Sequence, residues 1–214
     1  MGDGLGEDDE SYTMCTDAKG SLYVAGTFEG FIDFDPDTAK QNLLSSPFGE
    51  NAYIAKFDST GQLIWIKKIE TLSSIKINEI ALDNSGNLLI AGYYSNRIDF
   101  DPSADTSYAY SGTFNNANGF VAKYTNNGKL IWGVNIGGTS VDNATCLAID
   151  KDNNVVVAGA FSDTVDFDPS STVNQHIANS SQDIFLAKYD STGKHFWAFG
   201  VGASLNDYVQ KIEI

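Results

Sequence analysis

The residues best suited to chemistry come in one repeated string. Asp-Phe-Asp-Pro occurs three times, beginning at Asp33, Asp99 and Asp166. In an extended segment alternate side chains share a side. Each copy therefore presents two carboxylates together, Asp33 with Asp35, Asp99 with Asp101 and Asp166 with Asp168, and turns its phenylalanine the other way. More oxygen groups follow at Asp37, Ser103, Asp105 and Ser170. Such a set suits a hard, oxygen-loving cation, and calcium is the candidate. The spacing is not that of an EF-hand. Counted from Asp99, the sixth position is Ala104 where that loop needs glycine, and the twelfth is Tyr110 where it needs glutamate. The simpler role for the same aspartates is structural: Asp-Pro opens a turn, and the carboxylate caps nearby backbone amides. The segment Asp150–Asn154 also resembles a calcium loop, but its equivalents Asp17–Ser21 and Asp83–Asn87 read as hairpin turns.

A second candidate set is aromatic. Tyr93 and Tyr94, with Phe28 and Phe161 at related places, follow the end of an apolar strand, where they could line a pocket or stack on a sugar, or pack in the core. Tyr108, Tyr110, Phe114, Asn115 and Asn116 stand in a polar segment of the kind that forms adaptable recognition surfaces. The ligand this implies is a protein or a glycan. Catalytic signals are weak. There is no GxSxG, HExxH or phosphate-binding glycine loop, and His176 and His195 stand in no nucleophile or metal spacing. Carboxylates repeated in equivalent positions do not single out the unequal pair that glycoside hydrolysis requires. The expectation is a non-enzymatic binding or scaffolding module, with a structural spacer second and a hydrolase or lyase third.

The elements that must position these groups are set by an internal repeat. The Asp-Phe-Asp-Pro strings are 66 and 67 residues apart, and so are the Ala-Gly pairs ending in Gly26, Gly92 and Gly159. Trp65, Trp132 and Trp197 are spaced by 67 and 65, as are Lys56, Lys123 and Lys188 of a recurring Ala-Lys-aromatic string. Within the second repeat, Asn78–Asp83 alternates apolar and polar, and Asn87–Gly92 is almost continuously apolar, as befits a strand covered on both faces. Gly119–Tyr124 and Lys129–Ile136 complete four short strands, joined by turns rich in Asn, Ser, Asp and Gly. Helical periodicity is lacking.

Four antiparallel strands repeated in tandem predict the blades of a β-propeller, an all-β fold in which each sheet hides its faces against its neighbours. The expected organisation is blade 1 over 1–76, blade 2 over 77–143, blade 3 over 144–205, and over 206–214 the inner strand of an incomplete fourth. The tryptophans are expected to fill the gaps between blades, and the Ala-Gly glycines to permit a bulge or close backbone approach. Inserts at Glu29–Asn51, Ser95–Asn118 and Ser162–Gln182 are expected to emerge together on one face of the disc.

The strings DNSGNLLIAGYYSNRIDFDPSAD, NGFVAKYTNNGKLIWGVNIGGTSVDNATCLAIDKDNNVVVAGAFSDTVDFDPSS and DIFLAKYDSTGKHFWAFGVGASLNDY resemble the bacterial β-propeller repeat family labelled SBBP. The strand order also resembles the NHL-type blade, with the Ile-Ala-Leu-Asp strand nearest the axis. The resemblance implies a propeller, export to the cell surface or beyond, and no assigned catalytic activity.

Composition narrows the partners. Thirteen Lys and Arg against 28 Asp and Glu leave a net charge of −15, which repels nucleic acid and anionic membranes and favours cations or basic partners. No apolar run reaches the roughly 20 residues that span a bilayer. The acidic, glycine-rich start is unlike a signal peptide, so an export signal is expected outside this chain. Cys15 and Cys146 are expected to be buried free thiols. Closed propellers have about 4–8 blades, so three are expected either to be continued by further blades of a longer array or to be completed by a second copy. The surplus last strand would collide with a partner's first, which favours the longer array.

Overall fold

A computed structural model describes residues 9–37, 39–112, 116–168, 170, 173–179 and 181–214. Among them are sixteen strands and no helix, hence no helix long and apolar enough to cross a membrane. The first blade pairs β1 (Glu10–Thr16), β2 (Leu22–Asp33), β3 (Leu43–Phe57) and β4 (Leu63–Thr71). The second pairs β5 (Ile75–Leu82), β6 (Leu88–Ser95), β9 (Ala117–Tyr124) and β10 (Leu130–Gly138). The third pairs β11 (Asn143–Ile149), β12 (Val155–Phe161), β15 (Asp183–Tyr189) and β16 (His195–Val201). All pairings are antiparallel, as the repeat predicts. The innermost strands β1 and β11 flank β5.

Burial follows from stacking. In the middle blade β9 is buried at all eight positions, whereas β15 alternates buried and half-buried, with only one face fully covered. One core joins blades 1 and 2 through Ile54, Ile69, Ile90 and Phe120, and a second joins blades 2 and 3 through Val121, Ile136, Val157 and Phe185. The Ala-Gly glycines sit where the inner strand bulges, paired with Ser11, Ile77 and Ala144. A Cβ there would stand 1.8–1.9 Å from the carbonyl oxygens of Glu10, Lys76 and Asn143. The tryptophans bridge blades as expected. The Trp65 indole N–H donates to the Asn126 carbonyl of the next blade at 3.0 Å, and Trp132 to that of Ser191 at 3.1 Å. Cys146 is buried and Cys15 half-buried, both as free thiols, and burial pushes each up to about 11.

Two of the inserts do more than extend from their own blade, because each forms a hairpin that pairs onto the blade before it. The hairpin β7 (Arg97–Asp99) with β8 (Tyr108–Tyr110) pairs onto the end of β4, through Glu70 with Asp99 and Thr71 with Ile98. Likewise β13 (Thr164–Asp166) with β14 (Gln175–Ile177) pairs onto β10, through Gly137 with Asp166 and Gly138 with Val165. Each hairpin thus stitches its blade to the preceding one. A left-handed residue marks the turn from the second strand into each hairpin, Asn96 (φ 70°) or Asp163 (φ 57°), residue types that tolerate this region. Gly30 (φ 66°) is its equivalent in blade 1, where β2 continues through a bulge into the insert.

Residues 206–214 form no strand, yet they lie in the register of a fourth inner strand. The Asp207 amide donates to Gln182 at 3.0 Å as the Asp142 amide donates to Ala117 at 2.7 Å. Cys146 meets the Ile212 backbone, as the equivalent Glu79 carboxylate accepts the Leu147 amide.

Candidate functional site

The Asp-Phe-Asp-Pro strings open the loops of the insert hairpins, and their carboxylates are largely occupied within the loop. One oxygen of Asp33 accepts the amides of Asp35 and Asn42 at 3.1 and 3.0 Å. Asp99 does the same for Asp101 and Ser107, and Asp166 for Asp168 and Asn174. The second aspartates accept one turn further on: Asp35 from Asp37, Asp101 from Ser103 and Asp168 from Ser170. This is the capping arrangement. The Asn42 and Asp35 amides hold the Asp33 carboxyl below the ordinary aspartate range, and the Ser170 amide does so for Asp168. Each motif belongs to its own blade, so the six aspartates are not brought to one place. Among the described residues no three His, Cys, Asp or Glu side chains stand together as a metal site would require.

A tyrosine from the Ala-Lys-aromatic string anchors two of the three motifs. The Tyr124 hydroxyl donates to the Phe100 carbonyl and that of Tyr189 to the Phe167 carbonyl, each at 2.9 Å. Burial raises both tyrosine pKa values far above the usual range. In blade 1 the same place holds Phe57, which has no hydroxyl to give.

The aromatic candidates divide. Phe28, Tyr94 and Phe161 are fully buried, which removes them from any ligand-binding set. Phe28 packs on Tyr53, and Phe161 on Phe167 and Phe185. Tyr94 lies against Phe100 and Phe120 with its hydroxyl 2.7 Å from the Asn135 side chain. The second strand of each blade runs past its Ala-Gly pair, so these residues lie within β2, β6 and β12 and their rings are interior. Tyr93 is half-buried, and burial raises its hydroxyl pKa. Phe114 and Asn115 lie outside the described residues.

Tyr108 and Tyr110 are exposed on β8. The Arg97 guanidinium lies 4.3 Å from the centre of the Tyr108 ring, a cation–π contact that holds the ring in place. Tyr108 lines two clefts. One, of about 250 Å³, is walled by Lys68, Glu70, Asp101, Ser103 and Asp105. The other, of about 340 Å³, is walled by Asn135, Gly137, Asp166 and Asp168. Two of the predicted aspartate pairs therefore contribute to the clefts beside the predicted tyrosine. A flat ring flanked by carboxylate and amide groups can stack on an apolar surface and hydrogen-bond at its rim.

Sequence reasoning missed the paired charges under the turns. Lys56, Lys123 and Lys188 had registered only as markers of the period, and Asp17, Asp83 and Asp150 only as turn residues. They form ion pairs at 3.7, 2.8 and 2.8 Å, and their shared period was the available signal. Asp142 was also missed. It is fully buried and accepts the amides of Gly138 and Ser162 at 3.0 Å. Its burial pushes the carboxyl up to about 6.

No family profile matches the chain. Over 191 residues the chain is 28% identical to an uncharacterized WD repeat-containing protein of Acanthamoeba polyphaga mimivirus, covering 83% of this chain. The match spans 13% of that relative's length. A crystal structure of a protein of unknown function from Bacteroides caccae superposes with a TM-score of 0.32 at 12% identity, over 94% of this chain and 84% of that one. The chain is thus a β-repeat protein with a distant WD-repeat-like relative. Its fold assignment rests on the strand pairing above.

Proposed function

We propose that the chain is a non-enzymatic binding and scaffolding module of SBBP-like blades, working outside the cell and recognising a protein or glycan through its insert hairpins. The observation that carries this reading is Tyr108, an exposed, clamped ring between two polar clefts, with Tyr110 beside it. Outward-facing tyrosine gives contact area at low entropic cost. The clefts present carboxylates, amides and Lys68, groups that read hydroxyls or a polypeptide backbone equally well. The stitching of two inserts onto the preceding blades favours a second reading, a rigid spacer that holds another domain at a distance.

Screening the folded chain on a glycan array and against surface extracts tests the proposal. A ligand lost in the Tyr108→Ala, Tyr110→Ala double variant, with unchanged circular dichroism, supports it. Sugar competition separates glycan from protein. A ligand that binds the double variant as well as the parent would place recognition elsewhere, and no ligand in either screen would leave the spacer.

A further inference from the structure

The two seams between blades are finished differently on the side of the first turns. Where blades 2 and 3 meet, the turns clasp each other. The Asn84 amide donates to the Asn153 side chain at 2.8 Å, and the Asn84 side chain donates to the carbonyls of Asp150 and Lys151, each at 3.3 Å. Lys123 adds a bond to the Ser191 carbonyl at 3.3 Å. Where blades 1 and 2 meet, the equivalents of Asn84 and Asn153 are Ala18 and Gly86, which offer no side-chain donor or acceptor. There a cleft of about 440 Å³ remains, within the roughly 300–1,000 Å³ of small-molecule sites. Both of its walls belong to neighbouring blades of this chain, and it lies at the opposite end of β2 from the insert.

The wall of the cleft holds a cation whose donors are unused. Lysine carries three N–H donors. Lys123 gives two of them to Asp83 and Ser191, at 2.8 and 3.3 Å, and Lys188 reaches Asp150 at 2.8 Å. The Lys56 side chain is 12% exposed, yet its ammonium stands 3.7 Å from Asp17, beyond hydrogen-bond reach, and 4.6 Å over the Tyr23 ring. Among the described residues it donates to no oxygen. The Asn126 carbonyl, equivalent to that of Ser191, holds the Trp65 indole N–H instead. The carboxylates of the wall are already engaged. Asp83 accepts from Ser85, Asn87 and Lys123, and Asp17 accepts the Lys19 and Ser21 amides and turns its other oxygen to Lys56. Lys19 and Lys56 offset Asp17 and Asp83, and Lys123, bound to Asp83, leaves one surplus positive charge. Charges beyond about 8 Å are screened at physiological salt, so this local balance outweighs the net −15 for a ligand in the cleft.

We propose that the cleft between blades 1 and 2 binds a small hydroxylated carboxylate of the sugar-acid class, with its carboxylate on the Lys56 ammonium. One surplus positive charge suits a monoanion, whereas a phosphate dianion would be repelled by Asp17 and Asp83. The rest of the wall suits the hydroxyls. Thr16, Ser85, Asn84 and Asn126 are neutral polar groups that exchange hydrogen bonds with them, and Leu82 supplies an apolar side. The site shares no residue with the clefts beside Tyr108.

The test is calorimetric titration of the full chain with D-glucuronate and D-galacturonate, with glucose and glucose 6-phosphate alongside. At least one acid should bind with a Kd of about 1 mM or tighter, and glucose and the phosphate ester at least about tenfold more weakly. Lys56→Met should abolish the binding. An Ala18→Asn, Gly86→Asn variant copies the clasp of the other seam into this one. A Cβ at Gly86 meets nothing within 4 Å, and its φ of 79° is close to the 63° that Asn153 adopts. This variant should fold at least as stably as the parent and bind neither acid. The Tyr108→Ala, Tyr110→Ala variant should bind the acids as the parent does, which separates this site from the hairpin clefts. A galacturonate oligomer that binds tighter than the monomer identifies a polysaccharide as the source, and one that binds no better identifies the free acid. No binding of either acid at about 10 mM, glucose binding as tightly as the acids, or binding that survives Lys56→Met or the clasp variant overturns the proposal.

Discussion

Lysine and aspartate meet under the first turn in every blade, but their surroundings differ. In the middle blade Lys123 and Asp83 are 2.8 Å apart with side chains 4% and 1% exposed; in the first, Lys56 and Asp17 are 3.7 Å apart and 12% and 19% exposed. The chemical groups are identical, and so are the caps, since each aspartate accepts two amides of its own turn. What changes is the neighbours and one turn residue, Asn87, whose side-chain amide donates to Asp83 at 3.0 Å where blade 1 has Ser21. The middle blade has a sheet on each side, which removes water and lowers the local dielectric. At Asp83 burial pushes the carboxyl up, but the hydrogen bonds from Lys123 and Asn87 outweigh it and hold the carboxyl below its ordinary value. A repeat can thus assign one residue pair two different energetic weights by position in the array.

The largest test of that difference removes the cation. Lys123→Met leaves a buried carboxylate unpaired and should cost about 3–5 kcal/mol in urea unfolding. Lys56→Met, at a more exposed pair, should cost under about 1 kcal/mol. Equal losses would break the comparison.

A second test uses apolar residues at equivalent places. Ile136→Ala, within the core joining blades 2 and 3, should cost about 2–5 kcal/mol. Val201→Ala, on the open face, should change stability by less than about 0.5 kcal/mol in dilute solution.

Acidity sharpens the contrast between buried carboxylates. Asp83 is depressed, so its contribution is full above the unfolded value of 3.8 and is lost as pH falls through its lower folded value. Asp142 is raised to about 6, so the folded state binds the proton more tightly and stability rises as pH falls from about 6 toward 3.8. Melting curves between pH 4 and 7 should show that rise in the parent. Asp142→Asn should flatten it, at the cost of setting an amide N–H against the Gly138 or Ser162 amide.

The smallest expected effect concerns the repeated aspartates, whose oxygens already accept loop amides. Calcium or a chelator should shift the melting temperature by less than about 1 °C, since stabilisation requires a ligand that binds the folded state. A calcium-dependent rise of several degrees would restore the cation reading of Asp33, Asp99 and Asp166.

Much of the fold was readable because its cause is local and repeated. The alternation in Asn78–Asp83, the apolar run Asn87–Gly92 and the turn glycines fix strands by side-chain period and backbone sterics, whatever lies nearby. The bridging role of Trp65 and Trp132 was legible from their period alone. The candidate site was half legible. Tyr108 and Tyr110 stand exposed as a polar segment predicts, while Tyr94, two residues beyond the Ala-Gly strand end, looked equally available and is interior.

What the sequence determined by itself is the unit: four strands, a bulge at Gly26, Gly92 and Gly159, and a capped turn at each Asp-Phe-Asp-Pro string. Tertiary structure decided what each unit's residues are for. Whether an aromatic ring is core or surface, whether Asp83 is a buried charge or a wet one, and where an insert hairpin finds its missing strand all depend on the sheet stacked alongside. Backbone conformation is set by the nearest few residues, whereas burial and dielectric are properties of whatever lies across the gap.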